Sequence, residues 1–133
     1  MKAFTYAAVL LLAASPVLAD DLVALSTTAT AITGDISMDD FEMVFANGEK
    51  IEFDELVGDH FVVDGEDVPA SVYSVKDPSV PELLNGNTLC GASAVTYVAS
   101  WAADDVTIVA MFDTQDVPQS SGDMCASFSY VYP

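Results

Sequence analysis

The chain has 133 residues, with 21 acidic side chains against three lysines and no arginine. Duplex nucleic acid and anionic lipid surfaces bind proteins mainly through Lys and Arg, so this charge argues against both as partners. Hydrophobic residues make up 52% of the chain and are interleaved with the acids. The composition therefore favours a folded domain with an acidic surface over a disordered chain.

The first nineteen residues predict an export signal. Lys2 supplies a basic start, an apolar run follows over 3–14, and Ser15 to Ala19 ends it with small residues at the usual processing positions. Cleavage is expected before Asp20. The alternative is an uncleaved anchor, but the apolar run is shorter than the roughly 20 residues that span a bilayer. We expect a periplasmic or secreted protein with no membrane insertion after signal cleavage.

Removing the signal leaves residues 20–133, a length typical of a single domain. This mature part keeps all 21 acids but only Lys50 and Lys76, so its formal charge is 2 − 21 = −19. Cys90 and Cys125 are the only cysteines, and an oxidising compartment favours a disulfide between them. Such a bridge stabilises the fold by roughly 3 to 4 kcal/mol in the chain-entropy model. The alternative, a reactive thiol or a zinc site, lacks a matching ligand spacing.

The mature chain begins with residues 20–30, interpreted as a frayed lead-in to a β-prone segment at 31–33. The clearest local pattern comes next, where apolar residues alternate with others on both sides of an Asn-Gly pair: Phe41, Met43, Phe45, Asn47-Gly48, Ile51, Phe53. Asn-Gly between alternating runs is typical of a β-hairpin. A competing interpretation makes 38–46 a helix, because Met38, Phe41 and Phe45 also fall at helical spacing.

Further along the chain, short β patterns alternate with turns. The predicted elements are an apolar run at 61–63, a turn at 64–67, a strand at 68–75, one helical turn near 81–84 followed by an Asn85-Gly86-Asn87 turn, strands at 95–101 and 106–112 around an Asp104-Asp105 turn, a loop at 113–123 and a strand at 124–132. Seven or eight short strands with no long helix predict an all-β fold, a small antiparallel barrel or a sandwich. Five aromatic residues are expected to form its core: Tyr97, Trp101, Phe112, Phe128, Tyr130.

The sequence offers few groups for catalysis or metal binding. His60 beside Asp59 is the only available histidine base, and no glycine-flanked nucleophile accompanies it, so no catalytic residue is named. No cofactor is expected. Calcium is the one metal that suits the composition, through acidic loops at 64–67 and at Asp35 with Asp39-Asp40. Neither loop matches the spacing of a specific calcium motif.

Several strings are similar to those of a known group of proteins: Ile32–Ile36, Asn47-Gly48, Leu83–Gly91, Val95–Trp101, Cys125–Tyr130. They resemble a family of small exported bacterial proteins of uncharacterised function, and this resemblance implies no activity or site. In size and architecture only, the chain is also similar to periplasmic β-barrel inhibitors of proteases or lysozyme. A basic target would suit its acidic surface.

Together these observations predict a non-catalytic exported β domain that binds a protein or a small ligand, in an inhibitor-like way if the target is an enzyme. The alternative is a small hydrolase that uses a pair of carboxylates, because any two of so many acids could face each other across a cleft. A filled barrel with a broad surface would favour the binding domain.

Overall fold

A computed structural model describes residues 19–133; the predicted signal peptide, apart from Ala19, lies outside the described residues. The chain forms a closed barrel of eight antiparallel strands, each paired with its neighbours in sequence and the last paired with the first. The strands are β1 Asp20–Ala24, β2 Ile36–Met38, β3 Glu42–Val44, β4 Lys50–Val63, β5 Glu66–Val75, β6 Tyr97–Ala103, β7 Val106–Phe112 and β8 Ala126–Val131. The all-β prediction is confirmed, and of its two forms the barrel is the one observed.

The turn residues place the hairpins where the sequence predicts them. β3 and β4 pair around Asn47-Gly48, with Gly48 at φ 94°, a conformation that favours glycine. β6 and β7 pair around Asp104-Asp105, with Asp104 at φ 57°. The competing helix at 38–46 is therefore wrong, because β2 ends at Met38 and β3 runs from Glu42 to Val44 within that range.

The lead-in prediction is also wrong. Asp20–Ala24 is strand β1, which closes the barrel: Asp20 to Leu22 pair with β2, whereas Val23 and Ala24 pair with β8. The segment interpreted as β-prone instead forms a single π-helical turn, Ala29–Thr33. The β propensity of this segment does not decide its structure, because the turn closes one end of the barrel. There the Thr33 hydroxyl lies 2.7 Å from the Tyr130 hydroxyl.

Apolar side chains fill the barrel interior and also cover part of its outside. The interior core includes Met43, Val98, Met111, Phe128 and Tyr130. A second cluster consists of residues that alternate with the interior ones along β5, β6 and β7, and therefore lie on the outer face of the sheet: Val72, Ala99, Trp101, Ala110, Phe112, with Phe61 from β4. We call this second group the outer cluster.

The outer cluster corrects the prediction of a single aromatic core. Phe128 and Tyr130 lie inside the barrel, but Trp101 and Phe112 face outward and are buried there. Tyr97 packs against the same outer cluster and is only partly buried. Trp101 is 8% exposed, as its predicted burial requires, although on the opposite face of the strand from the one expected.

The outer cluster is covered by the far half of the β4–β5 hairpin, residues 56–70, which we call the arm and which contributes Phe61 to the cluster. Three register shifts between Phe53 and His60 bend this hairpin. The Phe61 ring consequently lies 5.5 Å from Trp101 and 5.7 Å from Phe112, centroid to centroid. The tip is fixed by the Val62 amide, which donates to the Gln119 carbonyl at 3.1 Å.

The two ends of the barrel differ. At one end, which we call the capped end, the 29–33 turn packs beside a short 3₁₀ turn at Leu84–Gly86, and the Asn85 side-chain amide donates to the Ala31 carbonyl at 3.0 Å. The predicted disulfide between Cys90 and Cys125, Cα atoms 5.4 Å apart, joins the connector after this turn to the start of β8. Among the described residues, no helical segment is long and apolar enough to cross a membrane.

Candidate binding site at the open end of the barrel

The end opposite the cap opens into a cavity of about 180 Å³. We call it the acidic mouth and define it by its lining residues: Asp20, Leu22, Met38, Asp39, Asp40, Ser71, Tyr73, Ser100, Thr107, Tyr132. Three carboxylates and five hydroxyl groups thus converge above an apolar floor. The mouth is a polar cavity at the end of a barrel whose interior is otherwise filled with side chains.

Strand ends and one tight turn place the carboxylates. Asp20 begins β1 and pairs with Met38, the last residue of β2. Asp39 follows directly, and its carboxylate accepts the backbone N–H groups of Phe41 and Glu42 at 2.7 and 2.9 Å. This turn returns the chain into β3 and leaves the Asp40 side chain at the mouth.

Two tyrosines hold the other carboxylates. The Tyr73 hydroxyl donates to Asp40 at 2.8 Å, and the Tyr132 hydroxyl donates to Asp20 at 3.4 Å. Burial, together with the hydrogen bond to Asp40, raises the pKa of Tyr73 to about 12. The Tyr73 phenol is therefore neutral at physiological pH and serves as a hydrogen-bond donor.

The mouth carries negative charge without a protein cation of its own. Among residues 19–133, none of those lining the cavity is basic. Lys50 starts β4 and Lys76 follows β5, so both lysines lie at the capped end. Lys50 is further engaged with Glu42 at 3.5 Å. A cation that enters the mouth meets carboxylates that no lysine neutralises.

Exposed aromatic side chains flank these carboxylates. Phe41 is 63% exposed in the turn beside Asp40, and Tyr132 is 60% exposed at the end of the chain. Tyr132 and Thr107 also line a neighbouring recess that contains Asp104 and Asp105. Aromatic residues are enriched at the centres of protein interfaces, and polar groups form the rim around them.

The residues singled out from sequence do not gather in the mouth as a group. His60 lies on the exposed arm, where its Nδ1 is 3.0 Å from Asp59; this hydrogen bond and the nearby Asp67 raise the pKa of His60. Of the candidate calcium loops, 64–67 lies at the arm tip, and the Asp35 carboxylate accepts the Ala24 amide at 2.9 Å. Only Asp39 and Asp40 reach the mouth. Within the described part of the chain, no three His, Cys, Asp or Glu side chains are arranged to hold a metal ion.

Sequence reasoning missed the hydroxyl groups of the mouth. Ser71, Ser100 and Thr107 occupy interior-facing positions of their strands. Ser100 lies between Ala99 and Trp101 of the outer cluster, Ser71 precedes Val72 of that cluster, and Thr107 precedes Ile108, which packs against it. Ser71 and Ser100 are direct cross-strand partners, and Thr107 lies two positions along β7 from Val109, the partner of Ser100. The expectation that Trp101 faces the interior hides this pattern, because it turns Ser100 outward.

The mouth can accept hydrogen bonds from an ammonium or guanidinium group through carboxylates and hydroxyl oxygens together. Its volume is below the 300 to 1,000 Å³ typical of pockets for drug-sized ligands, so it suits the end of a side chain or a ligand of a few atoms. Searches of family models, curated proteins and solved structures find no match to this chain.

Proposed function

We propose that this protein is a non-catalytic exported binding domain whose acidic mouth receives a basic group of a partner protein. The observation that carries the proposal is the mouth itself, where Asp20, Asp39 and Asp40 meet in one cavity of about 180 Å³ lined by no basic residue among those described. The filled barrel interior supports binding at the surface rather than enclosure of a ligand.

A protein partner fits better than a free small cation for two reasons. The cavity is small, so a ligand confined to it would gain little contact area. Phe41 and Tyr132 add exposed aromatic surface beside the cavity, which a larger partner can cover. The overall charge also attracts basic proteins from a distance and speeds their association at low salt.

The test measures the affinity of a lysine oligopeptide for two double variants that carry the same change in charge. D20N/D40N removes two of the three carboxylate charges of the mouth, and the asparagine oxygens can still accept the tyrosine hydrogen bonds. D77N/D113N removes two exposed carboxylates elsewhere, after β5 and after β7. We expect the mouth variant to lose about tenfold in affinity and the control variant much less, measured by calorimetry at low salt.

Equal losses in the two variants would contradict the proposal, because they would show that the peptide responds only to total charge. Chemical-shift mapping gives an independent measurement. The proposal requires the largest changes at Tyr73, Ser100 and Thr107, with smaller changes at the capped end.

A further inference from the structure

We propose that the β3-side edge of β4, over residues 54–61, is a docking edge for an extended basic segment of the partner protein, which binds by strand addition. This inference rests on the proposed function and names the form of its partner. The edge is adjacent to the mouth, since Leu56 of β4 pairs with Tyr73 of the mouth.

The edge is open because β3 is much shorter than β4. β3 pairs with β4 only from Lys50 to Glu52, and the last contact on that side is the Phe53 amide donating to the Phe41 carbonyl at 2.8 Å. The next contact on the same side is the Val62 amide with Gln119. In the part of the chain that the structure describes, no strand pairs with residues 54–61 on this side. At about 3.3 Å per residue, the opening is roughly 26 Å long.

A single residue outside the barrel strands already bridges to this edge. At its far end, Ser120 forms a parallel bridge with Val62, and Gln119 accepts the Val62 amide. The edge thus accepts a main-chain partner outside the regular barrel order. A guest strand would occupy the open stretch between this bridge and Phe41.

The bulges of β4 lie in the same stretch. From Phe53 to Gly58 the chain advances five residues on β4 against three on β5, from Val75 to Val72. Extra residues in a bulge leave backbone groups that the paired strand does not use. In this bulge the Glu55 amide donates to the Ser74 hydroxyl of β5 at 3.1 Å, so Glu55 is bonded towards β5. The side of β4 opposite β5 has no paired strand over this stretch in the described part of the chain.

The negative charge along the open edge of β4 favours a basic segment as its partner. Asp54, Glu55 and Asp59 are exposed along the open stretch, and Leu56 is 58% exposed among them. A second copy of this chain would place like charges opposite these acids, which disfavours pairing between copies. A segment that alternates basic and apolar residues complements both the acids and the exposed Leu56 and Phe41 side chains.

The experiment uses the whole mature protein and a blocked peptide of about eight residues that alternates lysine and valine, a length set by the opening. Two further versions carry backbone N-methyl groups, one on all lysines and the other on all valines. Successive residues of a strand direct their N–H groups to opposite sides, so methylation of one set removes the hydrogen bonds to β4 and methylation of the other does not. We expect one methylated peptide to lose at least tenfold in affinity and the other to bind nearly as well as the parent.

Amide hydrogen exchange locates the contact. The parent peptide should slow exchange within residues 54–61 by tenfold or more. D54K should weaken the peptide more than D113K, which makes the same charge change at the end of β7.

If both methylated peptides bind like the parent, or if protection falls on another edge, strand addition is wrong while a basic group can still enter the mouth. If no lysine peptide binds at all, the proposed function is wrong as well.

Discussion

Two buried tyrosines show how single side chains close the barrel at its opposite ends. Tyr130 is fully buried, and its hydroxyl lies 2.7 Å from that of Thr33 beneath the capped end. Tyr73 stacks on Phe53, with ring centroids 4.4 Å apart, and reaches Asp40 at the mouth. Burial is the main cause that raises the pKa of both phenols. The fold therefore depends on both tyrosines remaining protonated.

This dependence predicts alkaline instability. In the unfolded chain a tyrosine ionises near its ordinary pKa of about 10, whereas in the folded protein the pKa of Tyr73 is about 12. The stabilising contribution is complete below pH 10 and is lost as the pH rises toward 12, because only the unfolded state releases the proton easily. Urea denaturation at increasing pH should show the free energy of unfolding falling across this range.

The matched variant is Tyr73→Phe. At neutral pH it should cost roughly 1.5 to 3 kcal/mol, the usual range for a hydrogen bond to a charged group, and it should flatten the alkaline decline. An unchanged alkaline decline in the variant would contradict a role for Tyr73 in it.

Among the elements, the arm is attached to the barrel mainly through one residue, Phe61. Phe61 is almost completely buried, although its neighbours Asp59, His60 and Val62 on the arm are exposed. Its contacts with Trp101 and Phe112 hold a two-stranded hairpin against the outside of the barrel. The outer cluster thus acts as a small second core that depends on a few rings.

Trp101→Ala and Phe61→Ala should each lower stability by about 3 to 5 kcal/mol, since each leaves a cavity between large rings. The double variant should cost less than the sum of the two, because the rings contact each other.

Trp101 is the only tryptophan, so acrylamide quenching of its fluorescence reports directly on the arm. Quenching should increase in Phe61→Ala and stay unchanged in Phe41→Ala, whose exposed ring serves as the control. Equal quenching in both variants would show that Phe61 does not cover Trp101.

The elements also show what sequence can reveal. Asn47-Gly48 and Asp104-Asp105 specify hairpins through local turn chemistry, so both were predictable. β1 was missed because its pairing depends on β2 and β8, and the latter lies more than a hundred residues away. The site was missed for a related reason. In a barrel whose sheet is apolar on both faces, alternation gives the two faces of β6 but does not tell which one is inside.

At the scale of the whole molecule, charge is the dominant property. A formal charge of −19 on residues 20–133 produces self-repulsion that opposes compact folding. Sodium chloride screens this repulsion, so the melting temperature should rise between dilute buffer and moderate salt. A calcium effect far above that of sodium at equal ionic strength would instead require a specific calcium site. A melting temperature that responds to neither ion would show that the carboxylates are too dispersed to destabilise the fold.

The first and last strands of the barrel bring Asp20 and Tyr132 together, with a hydrogen bond of 3.4 Å between their side chains. Both residues line the acidic mouth. A purification tag or a fused protein attached directly before Asp20 or directly after Pro133 would therefore be tethered beside the mouth and would obstruct it. Surface immobilisation for binding measurements is better made through the capped end, for instance at Lys76, which leaves the mouth facing the solution.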